Sequence, residues 1–552
     1  LMMTSCSKMG PLSADNFTVT PKPLETQAGV VSATVNGAFP EKYMKKKAVV
    51  TVTPELRFGD GKVVKGEAAT FQGEKVMGND QVISYRMGGH YTMKTAFAYN
   101  PEMQKSDMYL TFDARRGKKV YNVPAVKVNY GIIATSELYR QALTNGGGCL
   151  ALDSFQRVKA KKQEANIKFL INQANLRKSE LKNNSVGEFV KLLKEINKDR
   201  EGLNLQNVEI QAYASPEGGF KFNDKLANKR QNVSEKYVRK EMKSAGVEGN
   251  LDAHYTAQDW EGFQELVSKS NIQDKELILR VLSMYQDPEQ REQEIKNISS
   301  VYKTLADEIL PQLRRSRLTL NYEIIGKSDE EIANLADSDA KQLNIEELLY
   351  ATTLTKDAAK QEAIFTKATQ IYPNDFRAYN NLGKLAYQAG DLDKAESYFK
   401  KALSIKDAPE ANMNLGLIAL TKGDRTAAES YLSKASGSKE LNEALGNLYV
   451  AQGQYDKAVS SFGDTKTNSA ALAQILAKDY NKAKNTLATI ERPDAYTDYL
   501  MAVLGARTNN TSMVTSSLKN AIAKEPALAK KAASDLEFAK YFTNTDFMNI
   551  IK

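Results

Sequence analysis

Residues 208–238 read VEIQAYASPEGGFKFNDKLANKRQNVSEKYV, and this stretch decides the fold of the central part of the chain. Residues 208–211 alternate apolar and polar side chains, which is typical of a half-buried strand. Residues 215–219, Ser-Pro-Glu-Gly-Gly, favour a turn, because proline fixes one φ angle and glycine permits positive ones. Residues on one face of a helix then recur at three- and four-residue steps: Leu226, Arg230, Val233 and Tyr237. The stretch therefore predicts a strand, a polar loop and an amphipathic helix that carries Arg230 near its start.

The same residues carry a resemblance to a known family. The strand end Ala212-Tyr213-Ala214-Ser215, the loop residue Asn223 and the helix start Leu226-Ala227-Asn228-Lys229-Arg230 resemble the core of the OmpA-like, peptidoglycan-binding domain. The resemblance covers residues 165–323, and the Ser-Pro-Glu-Gly version is similar to that of envelope proteins of Bacteroidota. It implies an aspartate and an arginine that bind the ammonium and carboxylate groups of diaminopimelate in the cell wall.

The resemblance makes Arg230, Asn223, Ser215 and Glu217 the candidate peptidoglycan-binding residues. Arg230 matches the family arginine, and with Asn223 it is expected to contact the wall. Ser215 stands where the family has aspartate, and Glu217, two residues on, could supply the missing charge. The retained arginine favours wall binding, whereas the lost aspartate favours a module that binds protein instead. The sequence leaves both interpretations open.

Length and composition predict several domains and no catalytic site. The chain has 552 residues, beyond the limit of about 250–300 residues for a single core. Its net charge of +9 comes from basic residues scattered among acidic ones, which favours a solvated surface over nucleic-acid binding. Two histidines and two cysteines give no zinc spacing, and no phosphate loop or nucleophile motif occurs. We expect a protein that is not an enzyme and has no metal or cofactor.

The first residues resemble the lipobox of a bacterial lipoprotein. Met3-Thr4-Ser5-Cys6 places small residues before a cysteine, as in signals that are cut there so that the cysteine receives lipid. The alternative is an incidental cysteine in a tail, residues 1–16. Surface-exported lipoproteins of Bacteroidota carry an acidic cluster soon after this cysteine, whereas no acidic residue occurs here between Cys6 and Asp15. The resemblance therefore implies the periplasmic face of the outer membrane, with Cys6 as the lipid anchor.

Residues 17–136 show a β pattern. Runs rich in β-branched and aromatic residues are separated by Gly- and Asn-containing turns, which predicts a sandwich or two small β-subdomains. Residues 137–164 are expected to be a helical connector, with a basic, solvated helix face at 157–162. An α/β OmpA-like domain follows at 165–325, with a helical insertion at about 261–305, and residues 326–344 are expected to be a linker.

The C-terminal part repeats. Leu382-Gly383, Leu415-Gly416 and Leu445-Gly446 recur at offsets of 33 and 30 residues, followed by equally spaced small and aromatic residues. The pattern is similar to the tetratricopeptide repeat, in which small residues let two antiparallel helices approach closely. We therefore predict an all-α solenoid over residues 345–552, closed by an aromatic-rich cap.

Together these features predict a non-catalytic, lipid-anchored outer-membrane protein that faces the periplasm and scaffolds the cell envelope. Its OmpA-like domain is expected to contact peptidoglycan, and the concave face of its solenoid to bind a protein segment or partner subunit. The alternative is an accessory subunit of an outer-membrane protein assembly or secretion complex, whose OmpA-like domain no longer binds peptidoglycan. No nucleic-acid partner is expected.

Overall fold

The computed structural model describes residues 8–144, 148–438 and 440–552 and divides the chain into two compact units. One unit joins Leu1–Asp153 to Thr355–Lys552, and we name it the β/solenoid unit. The other, Ser154–Leu354, is the α/β unit, which lies in the sequence between the two halves of the first. The β region and the repeats, which the sequence predicts as separate domains, therefore belong to one unit.

The N-terminal part of the β/solenoid unit is one curled sheet of eleven strands. They are β1 (Phe17–Thr20), β2 (Leu24–Gln27), β3 (Val30–Phe39), β4 (Val49–Phe58), β5 (Lys62–Lys65), β6 (Ala69–Gly73), β7 (Gln81–Ile83), β8 (Gly89–Ala98), β9 (Ser106–Arg116), β10 (Lys119–Tyr121) and β11 (Val126–Ile133). The main path runs β1-β3-β2-β11-β9-β4-β6-β7, with β8 on β3, β5 on β4 and β10 on β9. The β-rich prediction for this region is confirmed.

The region that the sequence predicts as a sandwich or two small β-subdomains is joined into one sheet by a parallel pairing. Strand β11 pairs with β2 in parallel, with Gly131 opposite Leu24. A Cβ atom on Gly131 would lie 2.8 Å from the Leu24 Cβ atom, so the absence of a side chain permits this approach. The pairing joins the N-terminal hairpins to the rest of the sheet, and alternate residues of both parts fill one core.

The C-terminal part is a series of helix pairs. Helix α1 (Tyr139–Thr144) follows the sheet, and helices α2–α11 belong to the α/β unit. The solenoid helices are α12 (Ala358–Ile371), α13 (Phe376–Gln388), α14 (Leu392–Ile405), α15 (Pro409–Lys422), α16 (Arg425–Ser433), α17 (Leu441–Ala451), α18 (Tyr455–Phe462), α19 (Asn468–Leu476), α20 (Tyr480–Ala488), α21 (Ala495–Arg507), α22 (Thr511–Lys524), α23 (Leu528–Ser534) and α24 (Thr545–Ile550). Consecutive helices pack as pairs from α13 with α14 to α21 with α22. The aromatic cap is built around Phe538 and Phe547, which are fully buried.

The α/β unit combines a four-stranded sheet with helices. Its elements are β12 (Val158–Lys168), α2 (Lys178–Leu181), α3 (Asn184–Lys198), β13 (Leu203–Tyr213), α4 (Phe220–Ala245), β14 (Leu251–Thr256), α5 (Trp260–Lys269), α6 (Lys275–Met284), α7 (Pro288–Asn297), α8 (Ser299–Thr304), α9 (Leu310–Leu313), β15 (Arg315–Ile325), α10 (Asp329–Ser338) and α11 (Ile345–Ala351). The sheet order is β12-β15-β13-β14, in which only β13 and β14 are parallel. Helices α3 and α4 supply the apolar residues that cover the sheet.

Helices α5–α9 form the insertion between β14 and β15 and have a hydrophobic core of their own. Trp260 packs against that core, and its ring lies 5.6 Å from the Phe263 ring in an edge-on arrangement.

The basic run at 157–162 is not the predicted helix face. Residues Val158–Lys168 form the edge strand β12, and each of them pairs with a residue of β15, from Val158 opposite Ile325 to Lys168 opposite Arg315. The lysines of the run are exposed, as is common on edge strands, where charge discourages further pairing. The partner strand lies about 150 residues away in sequence, so local propensity could not reveal the pairing.

The two ends of the α/β unit meet. The Phe155 ring stacks on the Tyr350 ring of α11 with 4.2 Å between centroids, and Lys327 pairs with Glu347 at 3.1 Å. These contacts hold α10 and α11 within the α/β unit, although the sequence predicts a linker at 326–344 and a solenoid from residue 345. The helix pairs of the solenoid begin only with α12.

We expect Gly383→Ala to destabilise the solenoid. A Cβ atom at Gly383 would lie 2.5 Å from Cε1 of the buried Phe399, so α13 and α14 would have to move apart. Overpacking of this kind costs about 1–3 kcal/mol. Hydrogen exchange in α13 and α14 measures the loss.

The control is Gly187→Ala in α3, where the added methyl group meets nothing within 4 Å. That variant should slow exchange in α3, because alanine stabilises a helix interior by about 0.5–1 kcal/mol relative to glycine. Unchanged exchange in Gly383→Ala would contradict the close packing of α13 on α14.

Candidate protein-binding groove and candidate wall-binding loop

The first helices of successive repeats, α13, α15, α17 and α19, form a surface that we name the groove. It is covered by a segment that follows the β-sheet, and we name its described residues, 135–144 and 148–153, the strap. Helix α1 of the strap contacts α15, α17 and α19. The strap crosses the repeats from the C-terminal cap toward α13, opposite to the order of the repeats.

The extended end of the strap is bound through its main chain. Asn414 Oδ1 accepts the Cys149 N–H at 2.6 Å, and Asn414 Nδ2 donates to the Cys149 carbonyl at 2.8 Å. Asn381 binds Ala151 in the same way, at 2.9 and 3.1 Å. Asn380 Nδ2 adds a third donor to this end of the strap, at 3.0 Å from the Cys149 carbonyl. All five residues are buried.

Asn381 and Asn414 occupy the same place in consecutive repeats, two residues before Gly383 and Gly416. A side-chain amide has one acceptor and two donor hydrogens, so it can satisfy the N–H and the C=O of one residue together. The two asparagines meet alternate residues of the extended chain, which present their polar groups on the same side. The groove therefore binds backbone rather than side chains at this end.

The helical end of the strap is bound through buried apolar side chains. Leu138, Tyr139 and Leu143 belong to the same hydrophobic core as the solenoid helices. Tyr387 Oη donates to the Leu143 carbonyl at 2.8 Å, and Arg140 Nε donates to the Thr421 carbonyl at 2.8 Å. This end is an integral part of the solenoid core.

An ionic cluster ties the β region to the last repeats. Arg507 Nη2 lies 2.6 Å from Glu537 Oε1 and 3.6 Å from Glu25 Oε1, and Thr135 Oγ1 donates to Glu537 at 2.7 Å. Burial opposes the Arg507 charge, but Glu537 outweighs it and holds the pKa of Arg507 above its ordinary value. Burial raises the pKa of Glu25. A second pair, Arg425 with Glu137 at 3.2 Å, lies farther along the strap.

The groove therefore carries a segment of its own chain, at the place where the sequence predicts a segment of a partner. The sequence contains one signal for this site, because Asn-Leu-Gly occurs at 381–383 and again at 414–416. The spacing of the small residues predicts the repeats, but it does not predict that Asn381 and Asn414 bind the main chain of the strap.

The candidate wall-binding loop lies in the α/β unit, between β13 and α4. Arg230 is 1% exposed, and its Nε, Nη1 and Nη2 atoms donate to the carbonyls of Gln173, Tyr213 and Leu170 at 2.9, 2.9 and 3.2 Å. Its guanidinium also lies 5.0 Å from the Phe169 ring. Burial, together with the Arg314 charge, lowers the pKa of Arg230 to about 10, so it remains a cation at neutral pH.

Glu217 is bound by an arginine that the sequence analysis did not single out. Arg314 meets it with two parallel bonds, Nε to Oε1 at 2.7 Å and Nη2 to Oε2 at 2.9 Å. Ser215 Oγ donates to Glu217 Oε1 at 2.8 Å, and Asn223 Nδ2 donates to the carbonyls of Ser215 and Gly218 at 3.1 Å each. These four side chains fix the loop.

The insertion helices hold the same loop from another side. Glu292 of α7 accepts the Gly218 N–H at 2.9 Å, and Gln258 Nε2 donates to the Gly218 carbonyl at 3.0 Å. A cavity of about 20 Å³ lies between the loop and the insertion, lined by Trp260 and Lys296 among others. It has room for about one water molecule.

The structure brings three of the predicted site residues into direct contact, Ser215, Glu217 and Asn223, and Arg230 binds the strand end that precedes them. Cys6 lies outside the described residues. Among the residues that the structure describes, no group of three His, Cys, Asp or Glu residues could hold a metal ion. Within the same residues, no helix is both long and apolar enough to span a membrane.

Comparison with known families identifies the class of the C-terminal part. Residues 376–407, 409–440 and 441–467 each match the tetratricopeptide repeat. The repeat prediction is confirmed, and this part of the chain is a protein–protein interaction scaffold. No curated protein matches the chain in sequence.

Solved structures of repeat proteins are similar to part of the chain. A chain of the APC/C hetero-tetramer Cut9–Hcn1 has a TM-score of 0.33 and 16% identity, with 38% of this chain and 45% of that chain covered. A tetratricopeptide repeat protein from Parabacteroides merdae gives 0.30 and 16%, with 38% and 91% covered. PilW, a type IV pilus biogenesis factor, gives 0.28 and 17%, with 41% and 98% covered. This chain thus spans less than half of the Cut9–Hcn1 chain.

Replacing Arg507 by methionine should destabilise the β/solenoid unit strongly. The change leaves the buried Glu537 facing Glu25 without a cation, and breaking a buried pair in this way costs about 3–5 kcal/mol. Equilibrium urea denaturation measures the change in the free energy of unfolding.

Arg115→Met is the control, because Arg115 pairs with Asp113 at the surface, where ion pairs contribute little. Its unfolding midpoint should equal that of the wild type. If the two variants have the same midpoint, the cluster around Arg507 does not stabilise the unit.

Proposed function

We propose that the chain is a non-catalytic accessory subunit of an outer-membrane protein assembly or secretion complex. In this proposal a lipid on Cys6 holds it at the periplasmic face of the outer membrane, and its repeats bind protein partners. The α/β unit is an OmpA-like module that no longer binds peptidoglycan. We also propose that the chain comes from a member of the Bacteroidota.

The topology of the α/β unit supports the OmpA-like assignment. Its order of β12, α3, β13, α4, β14 and a final β15 is compatible with the βαβαβ-type core that the resemblance implies. Arg230 lies on the helix that follows the loop, as in the family pattern, although α4 begins at Phe220 and Arg230 is therefore well inside it. Asn223, expected in the loop, lies in the first turn of α4.

One observation favours the loss of wall binding. A zwitterion such as diaminopimelate needs an accessible cation and an accessible anion. Arg230 is almost fully buried and donates to three backbone carbonyls, and the Glu217 carboxylate accepts from both Arg314 and Ser215. Both charges that could hold the ligand are engaged inside the fold.

A second candidate function, contact with peptidoglycan, keeps support from the retained Arg230. The four candidate residues also lie around one loop, where a small rearrangement of Glu217 would present a carboxylate beside a guanidinium. The two functions differ in one measurable property, which is binding to the intact cell wall.

Sedimentation with purified peptidoglycan sacculi separates the two functions. We expect the wild-type protein to stay in the supernatant. Ser215→Asp restores the family aspartate, yet it should not create binding, because Arg230 remains bound to the carbonyls of Leu170, Gln173 and Tyr213.

Wild-type protein in the pellet would establish the second function, and Ser215→Asp should then increase the bound fraction. Arg230→Ala is a poor test by itself, because hydrogen bonds of a charged donor contribute about 1.5–3 kcal/mol each to stability. Its loss of binding could reflect unfolding, so circular dichroism of each variant accompanies the sedimentation.

The lipid anchor has its own test. Cys6→Ala in the natural precursor should release the protein from the membrane fraction, because in this proposal the acyl chains on Cys6 supply the anchor. Cys149→Ala is the matched control, since Cys149 is buried in the groove. Fractionation of cells expressing each variant checks this, and a Cys6→Ala protein that still pellets with membranes contradicts the lipoprotein proposal.

A further inference from the structure

The two ends of the strap are bound in different ways. At the helical end Leu138, Tyr139 and Leu143 are buried among the solenoid helices, where their apolar surface is removed from water. At the extended end Leu150 is 40% exposed and Leu152 is 72% exposed. The small side chains of Cys149 and Ala151 are buried in the groove.

The main-chain bonds of the extended end do not depend on its sequence. Asn414 and Asn381 bind the N–H and C=O groups of Cys149 and Ala151, which any residue except proline presents in the same way. The enclosed side chains are a cysteine and an alanine, so the groove selects small residues at two alternate positions. The positions between them face outward and accept large residues.

We propose that residues 148–153 are an exchangeable occupant of the groove, and that an extended segment of a partner protein replaces them. The partner segment has small side chains at two positions separated by one residue of any size. Helix α1 and its buried side chains stay in place during the exchange. The inference rests on the proposed binding of protein partners by the repeats.

The chemistry of the site favours this occupant over others. The groove at this end offers the amide side chains of Asn380, Asn381 and Asn414, which complement an extended backbone. Arg377 Nη1 donates to the Asp153 carbonyl at 3.0 Å, so the groove also binds the main chain two residues after Ala151. The extended end of the strap is itself the example of a ligand that fits.

Hydrogen exchange on the full wild-type chain tests whether the extended end opens. The N–H groups of Cys149 and Ala151 should exchange at least a hundredfold faster than the buried amides of α15, because only the extended end leaves the groove. Equal rates in the two places would overturn the proposal, since the strap would then open only with the whole unit.

Peptide binding tests the replacement. The probe is a fluorescent peptide of residues 148–153, with serine at the Cys149 position to prevent oxidation. Ala151→Pro in the full chain removes the N–H that donates to Asn381 and so weakens the internal occupant. The peptide should bind this variant at least tenfold more tightly than it binds the wild type.

A second substitution in the Ala151→Pro background tests the site. Asn381→Ala should weaken peptide binding at least tenfold. Asn412→Ala is the control, because Asn412 lies on α15 but bonds to Asp407 and the Ala408 carbonyl instead of the strap. Equal affinity for Ala151→Pro and wild type, or no effect of Asn381→Ala, would overturn the proposal.

The inference and the proposed function can fail separately. Suppose that cross-linking in cells captures a partner of the wild type and that Asn381→Ala leaves the yield of this cross-link unchanged. That result overturns the groove exchange and leaves the scaffold function. Wild type that pellets with sacculi overturns the accessory-subunit function without affecting the peptide result.

Discussion

The extended end of the strap depends on asparagine side chains that satisfy its buried main-chain groups. An extended segment that enters a helical groove has no strand beside it, so its N–H and C=O groups would lose their hydrogen bonds to water. Each such loss costs about 1–3 kcal/mol, and Cys149 and Ala151 together present four groups. Asn414 and Asn381 satisfy all four. These bonds allow the extended end of the strap to lie on the repeats, while the buried side chains of its helical end join it to the solenoid core.

Arg230 solves the same problem in the α/β unit. The carbonyls of Leu170, Gln173 and Tyr213 converge where no strand or helix supplies donors, and a single guanidinium with its fixed fork of N–H groups reaches all three. Burial of the cation is costly, as its lowered pKa shows. The cost is offset by the three hydrogen bonds of the guanidinium to these carbonyls, of which the Leu170 carbonyl also accepts the Gln173 N–H at 3.1 Å.

Elements with a local sequence pattern can be predicted from the sequence, whereas elements that pair with residues far away in the chain cannot. The Leu-Gly spacing predicted the repeats, and the alternation at 208–211 predicted β13. The run at 157–162 was assigned to a helix because its pairing with β15 cannot be read locally. The strap was missed for the same reason, since Asn381 lies 230 residues from Ala151. Arg314, which binds Glu217, lies in no recognised motif.

The stacking of Phe155 on Tyr350 also bears on the entropy of folding. Some 200 residues separate the strap from α12, and an open loop of that length is costly to close. Once the α/β unit has folded, its two ends are held 4.2 Å apart at these rings, and the effective loop shortens to about ten residues. The closure penalty then falls by about 2–3 kcal/mol. A folded α/β unit thus lowers the entropic cost of bringing the strap to the repeats.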